Sequence, residues 1–332
     1  MNIDLTPIAE SGAFRGWLGI NPGDSPAFEL LGHGEYNINY LFRKPSTGEK
    51  LVLRVPMGSQ MHLSNQVRYE YEALRLLEPS GRTPKPLYID DSQTAIPYGF
   101  LVMSFLPGRA LRYESDLEQA AQCLADIHSL DIPAGSHLIS PDNPLAAVLE
   151  ECFAMSQHYL DSDLGTPDVK HLIRELLKRG QKIVENAKAA ESRCLINTEL
   201  NSGNFLVNDY KTYLVDWEKP LLACPGQDLG HFLAPTTTLW KTDSVLPETE
   251  IQSFVKDYCA ASGKYRDPDA LWAETEPFFV MTCLRGITWS SMAWVEYHSP
   301  GRALKDAFTF EKMKYYLHPE FLEMIRKDYL GG

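Results

Sequence analysis

The chain has little cysteine, and its cysteines form no pattern. Only six of its 332 residues are cysteine, without a Cys-x-x-Cys pair, at positions 123, 152, 194, 224, 259 and 283. A disulfide framework and a structural zinc site both need thiols at short, defined spacings, so neither is expected. Scattered thiols suit a reducing compartment, and we expect a cytoplasmic protein.

Basic residues are in the minority. The chain has 31 Lys and Arg against 44 Asp and Glu, for a formal net charge of −13. Because nucleic-acid partners require a basic surface, we expect none. An acidic surface would suit a cationic substrate such as an amine, although simple solubility is the favoured explanation. Composition leaves both explanations open.

Long apolar runs are missing. The most apolar stretch, residues 278–284, is far too short to span a bilayer, which takes about 20 residues. The first 16 residues lack a basic stretch followed by an apolar core, so no signal peptide is visible. We therefore expect no membrane association. A hydrophobic content of 44% is typical of a folded globular protein.

The most informative segment covers residues 194–220. A loop rich in Asn and Gly precedes a short apolar run at 205–207. An Asn-Asp turn follows at 208–209, and a second apolar run at 213–215 leads into an aspartate. Two apolar runs separated by turn residues predict a β-hairpin.

The predicted hairpin brings two oxygen ligands together. With its tip near Tyr210, antiparallel pairing places Asn204 opposite Asp216. An amide and a carboxylate surrounded by water suit Mg²⁺, which takes few protein ligands. Glu199 lies five residues before Asn204 on the same loop. Metal ligands beside a free carboxylate predict phosphoryl transfer, with Asn204 and Asp216 as metal ligands and these two plus Glu199 as the catalytic candidates.

This segment resembles the catalytic and metal-binding segments of the aminoglycoside phosphotransferase and choline kinase family. That family has His-x-Asp-x-x-x-x-Asn in the loop and an Asp at the end of the hairpin. Here Asp216 ends the hairpin, and the loop reads Asn197-Thr198-Glu199-Leu200-Asn201-Ser202-Gly203-Asn204. The Asn and the final Asp match in kind and spacing. Glu199 stands at the position of the catalytic base, and Asn197 stands at that of the histidine.

The resemblance implies an α+β, protein-kinase-like fold with two lobes. We expect a small β-rich lobe in residues 1–106, ending in the linker between the lobes. A larger helical lobe in residues 107–332 would carry the catalytic loop, the metal-binding hairpin and the acceptor site. Apolar periodicity predicts strands at 28–31, 36–42, 50–55 and 100–106. It predicts one helix at 64–78 and another that follows a capping box beginning at Ser115. Further helices are predicted at 143–160, 168–189, 248–262 and 269–297, the last broken or kinked at Pro277.

Gly32 and Gly34 lie between two predicted strands. Glycines let backbone N–H groups approach phosphates, and a plain hairpin turn has the same signature. The resemblance identifies this turn with the phosphate-covering loop of the family, and either Asn37 or Asn39 would supply its asparagine. The third glycine of the protein-kinase pattern is absent.

Arg54 lies where the family resemblance places the strand lysine that holds the α- and β-phosphates. Glu70, in the following helix, matches the carboxylate partner of that lysine. An ordinary surface Arg–Glu pair is the alternative, and Glu72 is a rival partner for Arg54. A guanidinium is a planar fork rather than a point charge, so its contacts with phosphates would differ in geometry from those of a lysine.

The apolar segment of residues 101–108 resembles the linker between the lobes, although alone it reads equally well as a buried strand. The resemblance implies that it binds the adenine of the nucleotide. Met103 would lie at the back of that pocket, with Ser104 and Leu106 along its rim.

Three further features have structural interpretations. Asp228 matches a family aspartate that braces the catalytic loop through backbone hydrogen bonds, and a helix N-cap is the alternative. We expect His128 to pack without a chemical role. An aromatic cluster is more typical of a helical core than of a ligand box, although in the family it lies in the helices that form one wall of the acceptor site: Trp289, Trp294, Tyr297, Tyr315 and Tyr316.

These features predict a transferase, namely a kinase that uses ATP and Mg²⁺. It would move the γ-phosphate to a hydroxyl of a small molecule, such as an amino sugar or an amino alcohol. The alternative is a nucleotide-binding pseudokinase with a protein partner, because Glu199 and Asn197 replace the usual Asp and His. A metal-dependent hydrolase built on Glu199, Asn204 and Asp216 is a third hypothesis, but it leaves the Arg54–Glu70 spacing without a role.

Overall fold

A computed structural model describes residues 3–21, 23–34, 36–188, 192–299 and 307–331 of the chain. Within these ranges no helix is both long and apolar enough to cross a membrane. The chain divides into two compact units. The sheet unit comprises the described residues up to Leu111 together with Leu130–Ile139 and Asn204–Pro220, and the helical unit comprises Arg112–Ser129, Ser140–Gly203 and the described residues from Leu221 onward.

The sheet unit contains a five-stranded antiparallel sheet. Its strands lie in the order β1-β2-β3-β5-β4, with the bounds β1 Glu29–His33, β2 Asn37–Arg43, β3 Lys50–Pro56, β4 Pro86–Asp90 and β5 Phe100–Ser104. The four predicted strands are present, although β5 ends two residues earlier than predicted. β4 pairs with β5 along one edge of the sheet and was not predicted.

Two short helices, α1 Thr6–Glu10 and α2 Gly12–Leu18, begin the described chain. The side chain of Phe14 is fully buried and lies against aromatic rings from the sheet. A third helix, α3 Gln66–Leu77, follows β3, and the side chain of Asn65 caps it by accepting a hydrogen bond from the Arg68 N–H at 3.1 Å. The predicted helix at 64–78 is therefore confirmed.

A small three-stranded sheet completes the sheet unit. It consists of β6 Arg109–Ala110, β8 Phe205–Val207 and β9 Thr212–Leu214 in the order β6-β8-β9. β8 and β9 form the predicted hairpin. Its two-residue turn is closed by Asn208, whose N–H donates to the Lys211 carbonyl at 3.1 Å.

The helical unit contains a two-stranded sheet, β7 Cys194–Ile196 with β10 Leu221–Ala223, and nine helices among its described residues. The helices are α4 Tyr113–His128, α5 Pro144–Asp161, α6 Pro167–Asn186, α7 Pro225–Leu233, α8 Pro235–Lys241, α9 Glu248–Ser262, α10 Pro268–His298, α11 Ala307–Tyr316 and α12 Pro319–Asp328. The element composition is α+β, as predicted.

One local prediction about the helices was wrong, and one of two alternatives for another is excluded. α4 begins at Tyr113, before the predicted capping box, and Ser115 and Asp116 lie in its first turn. The Asp116 carboxylate instead accepts a hydrogen bond from the Arg112 N–H at 2.8 Å. α10 continues past Pro277 as one helix, so this proline does not break it. The helix predicted at 168–189 corresponds to α6, and its predicted end at residue 189 lies outside the described residues.

Candidate active site

Asn204 and Asp216 lie side by side at the open end of the hairpin, but not directly opposite one another. Phe205 pairs with Leu214, so Asn204 stands opposite Val215. The Val215 N–H donates to the Asn204 carbonyl at 2.9 Å. The predicted register was wrong by one residue, because the turn is shorter than a tip at Tyr210 requires. Asp216 is the next residue beyond this last hydrogen bond.

Asp216 has an unusual backbone conformation. Its φ is 64°, in the left-handed region. Outside glycine, Asn and Asp enter this region most readily, and such a conformation still costs about 1 kcal/mol or more. The Asp216 carboxylate is about one-third exposed and accepts a hydrogen bond from Arg54 Nη2 at 2.7 Å. The chain therefore leaves β9 through a strained residue that is held by an ion pair.

Arg54 and Glu70 form the predicted ion pair. Arg54 Nε lies 2.7 Å from Glu70 Oε1, and both side chains are almost fully buried. The N–H of Arg54 does not point along this line, so the contact is an ion pair rather than a well-aligned hydrogen bond. Glu72, the rival partner, pairs with Arg68 instead, at 3.8 Å. Burial raises the pKa of Glu70, and the charge of Arg54 opposes that rise.

Glu218 is a third carboxylate beside Arg54, and sequence reasoning missed it. Its Oε2 lies 3.3 Å from Arg54 Nη2 and accepts from Asn37 Nδ2 at 2.7 Å, and its Oε1 accepts from Gln60 Nε2 at 2.9 Å. Burial, reinforced by Asp216, raises the pKa of Glu218 to about 7. The only signal for it in the sequence is an acidic residue two positions beyond Asp216. We call Arg54, Glu70, Asp216 and Glu218 the Arg54 cluster.

The glycine turn is connected to the Arg54 cluster through asparagines. The Gly34 N–H donates to the Asn37 carbonyl at 2.9 Å, and Asn37 in turn donates to Glu218. Asn39 Nδ2 donates to Asn37 Oδ1 at 3.2 Å. Gly32 lies within β1, where an added Cβ would meet nothing within 4 Å, and one on Gly34 would lie 3.1 Å from Asn37 Nδ2. The space above Gly32 is therefore open.

The predicted adenine-binding residues lie at the end of β5. Met103 pairs with Val52 of β3 and is half-buried. The Ser104 N–H donates to the Lys85 carbonyl at 2.9 Å, and its hydroxyl accepts from the Lys85 N–H at 2.9 Å. Leu106, also half-buried, follows the strand. Both the backbone and the side chain of Ser104 are therefore hydrogen-bonded to Lys85, the residue just before β4.

The predicted catalytic loop, residues 197–204, starts directly after β7. Asn197 is fully buried, and its side-chain Oδ1 accepts a hydrogen bond from the Glu199 N–H at 3.1 Å. Thr198, between them, has a φ of 72°. The buried amide thus closes a tight local turn that sets the direction of the backbone at Glu199. This is what Asn197 contributes at the position where the resemblance would place a histidine.

Asp228 braces this loop. Its two carboxylate oxygens accept hydrogen bonds from the N–H groups of Asn197, at 2.7 Å, and Thr198, at 2.8 Å. Asp228 is fully buried within α7 and does not cap that helix, so the bracing interpretation is confirmed. His128 Nε2 lies 3.3 Å from the same carboxylate, and His128 Nδ1 lies 3.0 Å from the Tyr258 hydroxyl. His128 therefore packs behind the brace.

The Glu199 carboxylate is held by an arginine from α10. Arg285 Nη2 lies 3.2 Å from Glu199 Oε1, and Arg285 Nε lies 3.0 Å from Glu151 Oε2 of α5. The Glu199 side chain is about one-quarter exposed. On the other side of the loop, His231 Nδ1 lies 2.9 Å from the Leu200 carbonyl, which is the geometry of a hydrogen bond donated by the ring.

The Arg54 cluster has more acidic than basic groups. Three carboxylates against one guanidinium leave a formal charge of −2 when all are ionised. Oxygen donors with water between them are the ligands that Mg²⁺ takes. Among the described residues no three His, Cys, Asp or Glu side chains are arranged to hold a metal ion by themselves. A bound cation would therefore need water or a ligand to complete its coordination.

Three solved structures with the same fold are distant from this chain in sequence. One is a spectinomycin phosphotransferase, solved with ADP and spectinomycin, at 15% identity and a TM-score of 0.67, covering 99% of this chain and 100% of that chain. Another is a choline kinase from Cryptosporidium parvum, at 13% identity and a TM-score of 0.66, covering 95% and 94%. A third is a choline/ethanolamine kinase family protein from Mesorhizobium loti, at 17% identity and a TM-score of 0.60, covering 97% of each chain. At such identities the similarity shows the fold alone, which is protein-kinase-like.

The sequence comparisons identify the family. No curated protein sequence matches this chain. The model of the phosphotransferase enzyme family matches residues 27–278, which is well over half of the chain and includes every residue of the Arg54 cluster and the catalytic loop. The chain therefore belongs to the phosphotransferase enzyme family and is a small-molecule phosphotransferase of the protein-kinase-like fold.

Proposed function

We propose that this protein transfers the γ-phosphate of ATP, with Mg²⁺, to a hydroxyl group of a small molecule. The observation that carries the proposal is the buried ion pair between Arg54 and Glu70, which also contacts Asp216. Burying a charged pair is costly unless its geometry is good. An arrangement of this kind, at the end of a hairpin with an amide and a carboxylate, is well suited to a nucleotide and its metal ion.

Each candidate residue has a role in this scheme. Asn204 and Asp216 would hold Mg²⁺, which supplies positive charge against the phosphate oxygens when bound. Arg54, oriented by Glu70, would contact the phosphates as a planar fork. The turn with Gly32 and Gly34 would cover the phosphates. Met103, Ser104 and Leu106 would line the adenine pocket.

Glu199 would accept the proton of the acceptor hydroxyl. Its backbone is set by the Asn197 turn and the Asp228 brace, so the loop is rigid where the carboxylate leaves it. Glutamate and aspartate have similar basicity, but glutamate has one more methylene. Because a misplacement of about 1 Å can cost roughly a hundredfold in rate, the position of this carboxylate decides whether it works.

Our proposal for the acceptor class is based on solved structures of the same fold rather than on the geometry of the site. A spectinomycin phosphotransferase and a choline/ethanolamine kinase family protein share this fold. We propose an amino sugar, an amino alcohol or a similar metabolite as the acceptor. The net charge of −13 is compatible with a cationic acceptor. We also propose that the protein acts in the cytoplasm without a nucleic-acid partner, with residues 1–106 as its small lobe and 107–332 as its large lobe.

Calorimetric titration of Mg²⁺-ATP tests the nucleotide part of this proposal. We expect metal-dependent binding to the wild type and its loss in Asp216→Asn, because Asn tolerates the left-handed backbone at this position but lacks the charge. Asp209→Asn, an exposed aspartate at the tip of the same hairpin, is the matched control and should bind normally. Metal-independent binding, or equal binding by Asp216→Asn, would contradict the assignment of Asp216.

Release of ADP in the presence of hydroxylated amines tests the catalytic part. We expect acceptor-dependent ADP release by the wild type and at least a hundredfold less by Glu199→Gln, which keeps the shape but removes the base. A protein that binds Mg²⁺-ATP tightly yet turns over no acceptor of these classes would instead be a pseudokinase with a protein partner.

A further inference from the structure

Arg285, in the helical unit, contacts Glu199 but has no role in the proposed function so far. It lies on α10, and its guanidinium is mostly buried, with 17% of the side chain exposed. Its Nε contacts Glu151 Oε2 at 3.0 Å, and the neighbouring Nη2 on the same edge of the guanidinium contacts Glu199 Oε1 at 3.2 Å. The two carboxylates are more exposed than the arginine, at 48% and 27%. The arginine is thus the anchored member of this group.

The anchor is rigid because its helix is tightly packed. α10 packs against α5, which carries Glu151. Immediately after Arg285, Gly286 brings α10 so close to α8 that an added Cβ would lie 2.7 Å from the Cβ of Thr236. Only glycine allows this approach, and it restricts how α10 can rotate. The position of the Arg285 backbone is therefore well determined.

Glu199 needs an anchor of this kind. The Asp228 brace holds the backbone of the loop at Asn197 and Thr198, but it does not reach the Glu199 side chain. A glutamate has three rotatable bonds beyond its Cα, and ordering such a side chain costs conformational entropy. A charge-assisted contact with a buried guanidinium offsets this cost and selects one position for the carboxylate.

We propose that Arg285 is a positioning residue that holds the Glu199 carboxylate where it accepts the proton of the acceptor hydroxyl. The inference rests on the proposed function, since it assigns Glu199 as the base. Glu151 contacts Nε beside the Nη2 that contacts Glu199, so that the guanidinium is held in one orientation.

Steady-state kinetics of four variants test this inference. In Arg285→Leu we expect kcat to fall by about tenfold to a hundredfold, because the Glu199 carboxylate is no longer held in position. The KM for ATP should stay within about twofold. Arg285→Lys keeps the charge but lacks the fork, and it should recover part of the lost kcat. Glu151→Gln should lower kcat less than Arg285→Leu does. Arg174→Leu, an exposed arginine on α6 of the same unit, is the control and should match the wild type.

A double-mutant cycle separates positioning from a general structural effect. Glu199→Asp shortens the side chain by one methylene, so its carboxylate should not reach Arg285 as that of Glu199 does. Arg285→Leu should therefore change kcat less than about threefold in the Glu199→Asp background, far less than in the wild type. Calorimetric binding of Mg²⁺-ATP and thermal unfolding, measured on every variant, show whether the fold and the nucleotide site are retained.

The outcomes distinguish the two proposals. A wild type that shows no turnover would overturn the proposed catalysis and, with it, the role of Arg285. Normal turnover by Arg285→Leu, or an equal loss in both backgrounds, would overturn the Arg285 proposal alone. An increased KM for the acceptor at unchanged kcat would also overturn it, because Arg285 would then bind the acceptor directly.

Discussion

Arg54 contacts more carboxylates than one guanidinium can neutralise. Three of them, from α3 and from the chain after β9, lie between 2.7 and 3.3 Å from it. Glu70 is the most deeply buried of the three and has the least access to water. Because a buried charge without a partner is far more costly than a buried pair, Arg54 is necessary for stability as well as for the proposed binding of phosphates.

Removing the charge of Arg54 should destabilise the protein through Glu70. We expect Arg54→Met to lower the free energy of unfolding by about 3–5 kcal/mol, because it leaves Glu70 buried and unpaired. The double variant Arg54→Met/Glu70→Met should regain most of that loss, since it removes the most deeply buried of the three carboxylates. Urea denaturation measures both values.

An exposed ion pair provides the comparison. Arg68 pairs with Asp91 at 2.6 Å, and its side chain is half exposed. Arg68→Met should therefore cost less than about 1 kcal/mol. A double variant no more stable than Arg54→Met would show that burial of Glu70 is not the source of the loss.

His231 makes the stability of the helical unit depend on pH. Burial lowers its pKa below the usual 6.5, although Glu199 opposes that effect. Below pH 6.5 the unfolded chain takes up a proton that the folded state resists, so the free energy of unfolding should fall as the pH falls from 7 towards 5. Above pH 6.5 the ring is neutral in both states, and this contribution is fully present.

Replacing the ring checks this dependence. In His231→Gln the decline of the unfolding free energy between pH 7 and pH 5, measured by urea denaturation, should be smaller than in the wild type. His158→Gln, an exposed histidine on α5, should leave the decline unchanged. An identical pH dependence in wild type and His231→Gln would rule out this histidine as its source.

At the scale of elements, the two N-terminal helices are part of the core of the sheet unit. Phe14 of α2 is fully buried, with ring centroids 5.6 Å from Tyr88 and 5.9 Å from Phe100 in edge-to-face geometry. Trp17 lies 5.0 Å from Tyr88 on the same face. These helices precede residue 27, where the family match begins. They supply aromatic rings that would otherwise be missing from this side of the sheet.

Truncating Phe14 should show how much α2 contributes. We expect Phe14→Ala to lower the free energy of unfolding by about 3–5 kcal/mol, the usual cost of removing a buried phenylalanine ring. Tyr210→Ala, which removes a ring that is 96% exposed at the hairpin tip, should change it by less than about 0.5 kcal/mol. Equal losses in chemical denaturation would mean that α2 is not integral to the core.

At the scale of the whole molecule, the fold is recognisable although identity to solved structures is as low as 13%. Such similarity leaves the acceptor undetermined, because one fold serves many substrates. The acidic net charge is a property of the entire surface and ranks no single residue as an acceptor ligand. The nucleotide and acceptor titrations are therefore the measurements that distinguish this chain from its relatives.

Much of the candidate site was predictable because its signals are local in sequence. The turn residues between two apolar runs determine the β8–β9 hairpin, and the spacing from Asn197 to Asn204 is a property of one loop. Arg54 and Glu70 lie on consecutive elements, and the family resemblance rather than periodicity favoured Glu70 over Glu72 as the partner of Arg54. Asp228 was interpreted correctly because its family position, rather than its neighbours, indicated a brace.

The remaining contacts depend on residues far apart in the chain. Arg285 is 86 residues from Glu199, and Glu218 is 164 residues from Arg54. Composition and periodicity carry no information about which charged side chains meet after folding. The one-residue error in the hairpin register has a different cause, since it depends on whether the turn has two or three residues.

Most of the helices and strands could be predicted from the amino-acid sequence, because each follows from residues close together along the chain, and the family resemblance added the α+β composition and the Asp228 brace. The contacts of Arg54 with three carboxylates, the local turn closed by Asn197 and the contact of Arg285 with Glu199 became visible only in the folded chain. Coulombic and hydrogen-bond contacts depend on distance in space, and packing sets that distance for residues that the chain separates.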